Sequence, residues 1–199
     1  MDALQGTTAK AFLAMTSYVP TQATQTFCSI ATSVSILNAL TMQEVDKRPV
    51  TETYAPYPYF TQQDFVNSPC VTNVTSDVDH CGTTLSQLNA ILKCIDPSRT
   101  ISKYHASTAS LDEFRRKAVD ALSGLGGVAI NFDRKSLGQP GGGHWSPLGA
   151  YAAASDAFLL LDVAKYKLPY AWVAATDLFA AMNTMDNSAN MSRGFIIIA

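Results

Sequence analysis

The chain has 199 residues, 47% of them hydrophobic and 15% charged, with a formal net charge of −2 at pH 7. That length buries a sizeable core and fits a single domain over residues 1–199. So small a charge gives no electrostatic case for nucleic acid or an anionic membrane, and no apolar run reaches the ~20 residues that span a bilayer.

The N-terminal MDALQGTTAKAFLAM carries an early acid and an interrupted apolar stretch, unlike a signal peptide. The compartment is left open: cytoplasmic if the chain is whole, periplasmic or secreted if a leader has been removed. Residues 7–17 predict a short helix, and a Thr- and Gln-rich loop from Tyr18 leads to Phe27. An apolar helix then starts at or beside Cys28. Ile30, Val34 and Leu37 recur at i, i+4 and i+7, and Ile36 with Leu40 adds a second pair. A helix apolar around so much of its girth belongs in the middle of a domain.

Residues 46–60 hold three prolines and three tyrosines and predict an irregular surface excursion, its aromatic cluster Tyr54–Phe60 packing over the Cys28 helix. Thr61 caps a brief helix to Val66, and Asn67–Gly82 reads as loop. Leu85, Leu88, Ile91 and Leu92 lie at helical spacing behind a Thr cap, which predicts a helix from Thr84 to Ile95. Thr100–His105 alternates like a strand. Ser110 and Glu113 hold the reciprocal positions of a capping box that opens a helix to about Leu122. From Gly127 the texture turns to strands: GVAINF, HWSPLGAYAA and AFLLLDVA. A helix at about Thr176–Met185 and a last strand, GFIIIA, follow. Helices first and antiparallel strands afterwards predict an α+β fold.

The four cysteines, Cys28, Cys70, Cys81 and Cys94, form neither a disulfide-dense scaffold nor a zinc pattern. In an oxidising compartment Cys70 and Cys81 are the pair nearest in sequence; in the cytosol all four stay reduced. His80 and Cys81, with Asp77 and Asp79 beside them, are metal-ligand types. Adjacent His and Cys do not easily reach one tetrahedral ion together, so no protein-bound metal is expected.

Cys28 stands at a helix start, where unpaired N–H groups and the positive dipole end favour a thiolate. It is a nucleophile on that reading and a small core residue on the other. A thiol nucleophile needs a base, and the base an orienting group. His144 enters a strand behind Gly141-Gly142-Gly143, and Asp162 ends the apolar run LLLD on the next strand. A hairpin turning at Ala154-Ser155-Asp156 sets the two side chains close to opposite one another, as a catalytic pair or as a structural hydrogen bond. Gln22, six residues before Cys28, offers an amide for an oxyanion, with Gln25 as its rival.

The order Gln, Cys at a helix start, His on a strand and Asp on the next is the arrangement of papain-like cysteine peptidases. The stretches YVPTQATQTFCSIATSVSILNAL, GGHWSPLGAY, LLLDVAKYKLPYAWVAATDLFAAMNTMD and SRGFIII resemble the phytochelatin synthase family, the glutathione γ-glutamylcysteinyltransferases, in its short prokaryotic form. The similarity runs over roughly residues 12–199. It implies a papain-like fold, with Cys28 as acyl-accepting nucleophile, His144 as base and later acid, Asp162 as orienter and Gln22 as oxyanion donor. Lys165 and Arg193 fall where the family holds the γ-glutamyl end of its substrate, and Tyr166 joins them as a substrate-binding candidate. Lys165 stands where arginine is usual, and Ser29 where the family has glycine. The implied reaction cleaves the Cys–Gly bond of glutathione through a thioester on Cys28. The acyl group then passes to water or to a second glutathione.

The expected partners are glutathione and its metal thiolates, with cadmium or zinc entering as part of the substrate and no cofactor held by the protein. Neither nucleic acid nor membrane is expected, and a homodimer is left open. Two other functions stand beside this one: a papain-like peptidase acting on other peptides, and a non-catalytic module that binds thiol peptides. A free substrate carboxylate calls for cationic partners, which Lys165 and Arg193 supply, and this favours glutathione over ordinary peptides.

Overall fold

A computed structural model describes residues 7–41, 53–57, 59–75 and 82–199. Strand β1 (Thr7–Thr8) and helix α1 (Lys10–Thr16) replace the single short helix expected there. Helix α2 (Cys28–Thr41) follows, with all 14 of its residues buried. Its apolar positions explain most of that burial, and its hydroxyls are accommodated by bonding backwards. Ser33 donates to the Ser29 carbonyl at 2.8 Å and Ser35 to that of Ala31 at 2.6 Å. Asn38 bonds both the N–H and the carbonyl of Phe60, at 2.9 Å each, and so ties the aromatic excursion onto α2. Phe60 is buried there, whereas Tyr54 and Tyr57 remain exposed.

Thr61 caps α3 (Gln62–Asn67) with Asp64 in the reciprocal position, and Thr84 caps α5 (Leu85–Ile95) with Gln87. Between them lies α4 (Pro69–Thr72), a helical turn capped by Ser68, in a stretch whose sequence reads as loop. Pro69 at the first helical position presets the backbone angle that this turn uses. The pairing of Cys70 with Cys81 does not occur. Cys70 is bonded to Cys94, because α4 packs on α5 and brings those two Cα atoms to 5.6 Å. Cys81, His80, Asp77 and Asp79 lie outside the described residues.

After β2 (Ile101–His105), Ser110 caps α6 (Leu111–Ser123). Only half of the expected capping box forms: the Ser110 hydroxyl accepts from the Glu113 N–H at 3.1 Å, while the Glu113 carboxylate turns to Lys117 at 3.7 Å. The strands β3 (Gly127–Asp133), β4 (Gly143–Ala152) and β5 (Ala157–Leu160) match the strand texture of the sequence. Next come β6 (Ala171–Ala174), α7 (Ala175–Met182), a small ladder of β7 (Met185–Asp186) with β8 (Met191–Ser192), and β9 (Gly194–Ile198). Strand β6 and the β7–β8 ladder are additions that the sequence reading lacks.

The main sheet is antiparallel in the order β2-β9-β3-β4-β5-β6, with β1 also on β4. With α2 packed on β3 and β4, the architecture is α+β. One apolar cluster runs from Met15 to Ile198 and includes Cys28. The disulfide closes a loop 24 residues apart in sequence. Replacing both Cys70 and Cys94 by serine should lower stability by about 3 kcal/mol, roughly 6–12 °C in Tm. Thermal unfolding tests this, and a variant melting with the oxidised wild type would contradict it.

Candidate active site

Cys28 opens α2 and is the free cysteine among the described residues, buried at 8% exposure. Its sulfur lies 4.0 Å from the Thr26 carbonyl, and the backbone N–H groups of Trp145 and Ser29 act to lower the thiol's value. Burial pushes the thiol above its ordinary value of 9.0, and neither those N–H groups nor the charge of Arg134 offsets it. The resting group is therefore the neutral thiol rather than the thiolate that the helix start alone suggests.

His144 lies on β4, next to Trp145, with its ring edge-on to Phe132 at 5.6 Å. Its Nε2 is 3.0 Å from Oδ1 of Asp162. With Nε2–H donating to the carboxylate, Nδ1 is left as the basic nitrogen. The two residues are not directly opposite on the ladder, as the symmetric hairpin has it. Leu148 pairs with Leu160, and the register slips between Leu148 and Ala150, so the ladder's continuation sets Ser146 against Asp162. His144 is two residues further along on the same face, and the diagonal reach of its ring closes the contact.

Asp162 is 1% exposed and fully partnered. Besides His144 it accepts from Nη2 of Arg134, at 2.8 and 2.7 Å to its two oxygens, and from the Ala164 N–H at 2.8 Å. Burial alone would raise this carboxyl. The bond to His144, the charge of Arg134 and the Ala164 N–H together hold it below the usual 3.8. Burial lowers His144 below 6.5, with the carboxylate of Asp162 opposing that shift.

Arg134 was not singled out in the sequence, although it supports the whole arrangement. It is buried at 2% exposure, donates from Nη1 to Gln139 at 2.8 Å, and organises the β3–β4 turn through its backbone bond to Gly142. Gly141, at φ +120°, passes so close that a side chain there would meet the Arg134 stem at 3.1 Å. That glycine, within the run before His144, was the available signal.

Cys28 and His144 share a cavity of about 420 Å³ with Asn131, Asp186, Arg193, Thr83 and Gln87. Arg193 crosses β4 at Gly143, where any Cβ would stand 2.5 Å from its Nη1. It donates to Asn131 at 2.9 Å and faces the Asp186 carboxylate at 3.7 Å, while its Nε is buried without a partner. Asp186, another residue without a role in the sequence reading, comes from the β7–β8 ladder, whose turn residues DNSAN are its only local signal.

The other expected substrate residues lie elsewhere. Lys165 donates to the Val19 carbonyl at 2.7 Å and sits over the Tyr170 ring. Tyr166 is half exposed and accepts from Gln22 at 3.1 Å. Neither lines the cavity. Gln22 is buried, and its amide nitrogen also donates to the Thr24 carbonyl at 2.7 Å; Gln25, its rival, is on the cavity wall. Ser29 is buried with its hydroxyl unpaired and does not line the cavity.

Because His144 must be unprotonated to take the thiol proton, activity should rise with pH through its lowered value. The acid limb of kcat/KM is expected with its midpoint below 6.5, followed by a plateau to at least about pH 8. A pH–rate profile with the acid limb above 6.5 would show that the imidazole is not held neutral by burial.

The family model for phytochelatin synthase matches residues 1–195. The chain is 30% identical over 200 residues to glutathione gamma-glutamylcysteinyltransferase 1 of Lotus japonicus, covering all of this chain and 38% of that protein. It is likewise 30% identical to the Schizosaccharomyces pombe glutathione gamma-glutamylcysteinyltransferase and 29% to enzyme 1 of Arabidopsis thaliana, covering 45% and 39% of them. The chain thus spans about two fifths of the length of these curated relatives. Cys28 and His144 line one cavity, with Asp162 bonded to His144, and the match along nearly its whole length makes this chain a member of the phytochelatin synthase family.

Proposed function

We propose that this chain is a papain-like catalytic unit that cleaves the Cys–Gly bond of glutathione through a thioester on Cys28. The observation that carries this reading is the shared cavity: a thiol and an imidazole stand beside an Arg193–Asp186 pair. A γ-glutamyl group ends in an α-ammonium and an α-carboxylate. Asp186 suits the first, and Arg193, with a buried Nε–H awaiting an acceptor, suits the second. Internal peptide segments carry no such zwitterion, which favours glutathione over ordinary peptides. The names of the relatives point the same way.

In this mechanism Nδ1 of His144 takes the Cys28 proton as the sulfur attacks the cysteinyl carbonyl. Asp162, held by Arg134, keeps the imidazole in the required tautomer and stabilises the imidazolium. The N–H groups of the first turn of α2 meet the developing oxyanion together with a side-chain amide. Gln22 is the donor by family position; Gln25 is the amide already on the cavity wall. His144 then protonates the departing glycine. Water releases γ-glutamylcysteine, or the amine of a second glutathione takes the acyl group to extend a phytochelatin. Hydrolysis is the dominant outcome expected. Cadmium or zinc enters as a glutathione thiolate complex, as substrate rather than cofactor.

Incubation with glutathione, with and without cadmium or zinc, should yield glycine and γ-glutamylcysteine by mass, with (γ-Glu-Cys)₂-Gly reporting transfer. Cys28→Ala should lower turnover by about 10³-fold or more. Cleavage of ordinary peptides with no product from glutathione would favour the peptidase instead. Arg193→Gln or Asp186→Asn should raise KM by roughly 10–100-fold with a smaller effect on kcat, the loss of a charge-assisted hydrogen bond. Unchanged KM in both would remove the γ-glutamyl assignment.

A further inference from the structure

The cavity has a second wall that the mechanism does not use. Gly82 and Thr83–Thr84, with Gln87 one turn into α5, face it together with β4. Thr83 is 9% exposed, and its hydroxyl is shielded from solvent with no partner in the protein. A buried hydroxyl left unpaired costs free energy that a bound ligand recovers by supplying the missing bond. Thr83 lines the same cavity as Cys28 and His144, so a ligand seated there is the group placed to supply that bond, little as the hydroxyl is exposed.

The position of Thr83 is nevertheless fixed. Its carbonyl accepts from the indole Nε1–H of Trp145 at 3.0 Å, and Trp145 is itself 2% exposed. The same tryptophan lines the cavity together with Cys28. One residue therefore ties the Thr83 wall to the cavity that Cys28 lines. Before Thr83, Gly82 sits at φ +70°, the left-handed region that favours glycine.

We infer that Thr83 is a specificity-determining residue whose hydroxyl hydrogen-bonds the γ-glutamyl–cysteine amide of the substrate, and that the Trp145 indole is its positioning residue. This rests on the reading of the cavity as a γ-glutamylcysteinyl site and assigns one further polar group of its wall. The α-ammonium and α-carboxylate match Asp186 and Arg193, and the scissile carbonyl belongs to Cys28. The amide between the γ-glutamyl and cysteinyl parts lies between those two anchoring points, and neither of them meets it. An α-linked glutamyl peptide carries that amide two carbons nearer its charged end, so a fixed hydroxyl discriminates between the two linkages.

The test titrates γ-glutamylcysteine and its α-linked isomer into Cys28→Ala protein by calorimetry, with Thr83 intact or changed to Val or Ser. Thr83→Val should weaken binding of the γ-linked dipeptide about tenfold and narrow the preference for it over the α-linked isomer. Thr83→Ser should restore both to within about twofold of the parent, which a merely structural threonine would not require. In the active enzyme the same loss should fall on KM rather than kcat. Trp145→Phe, which deletes the indole N–H, should reduce the further effect of Thr83→Val, because the two act on one contact. Equal affinities for the Val and Thr proteins, or equal preference between the isomers, would overturn the assignment while leaving the cavity reading intact. Failure of the Thr83-containing protein to bind γ-glutamylcysteine at all would overturn both.

Discussion

The buried carboxylate of Asp162 is the contact on which the site depends. A negative charge 1% exposed is costly unless every lone pair is met, and three donors from three segments meet it here. Arg134 comes from the β3–β4 turn, His144 from the start of β4, and the Ala164 N–H from just beyond the carboxylate itself. The ion pair with Arg134 allows the carboxylate to stay ionised in a dry place. That ionised carboxylate in turn gives the imidazole a fixed tautomer without forcing it to carry a proton. The cost of burying each group is offset only by the presence of the others, so the three form a unit rather than a set of separable contacts.

Cys28 shares this logic. The same burial that keeps His144 neutral keeps the thiol neutral, although it sits at a helix start. Desolvation of a small, poorly hydrated site outweighs the local N–H groups. On the proposed mechanism the proton passes between two neutral partners when substrate arrives. The cavity is lined both by the buried Cys28 and His144 and by the ionic Arg193–Asp186 pair. This combination suits a small zwitterion attached to an amide.

The walls of the cavity come from distant parts of the chain. Strand β4 supplies Gly143, His144 and Trp145; β3 supplies Asn131; the β7–β8 ladder and its following residue supply Asp186 and Arg193; the start of α5 supplies Thr83 and Gln87. The Cys70–Cys94 bond fastens α4 to α5 behind that last wall. Glycine at 143 is what lets the Arg193 guanidinium lie across the strand one residue from the His144 imidazole.

Much of this was legible in the residues themselves. The 3.6-residue apolar repeat of α2, the Thr84 cap, the alternation after Gly127 and the order of Cys28, His144 and Asp162 are all local signals. They point to most of the long helices and strands and to the α+β class, because periodicity and capping act within one turn or one strand. Arg134, Asp186 and Thr83 carried no such signal: a lone arginine in a turn, an aspartate in a polar hairpin and a threonine before a helix have many ordinary uses. Their roles exist only once sheet pairing, the bulge after Leu148 and the packing of α4 on α5 bring distant segments within hydrogen-bonding distance. For the same reason Cys70 found Cys94 rather than its near neighbour in sequence, and Lys165 turned to the Val19 carbonyl instead of the cavity. Sequence determined which side-chain types this chain carries and where its regular elements run; tertiary packing decided which of those side chains lose their water together, because desolvation acts only on groups that the fold buries side by side.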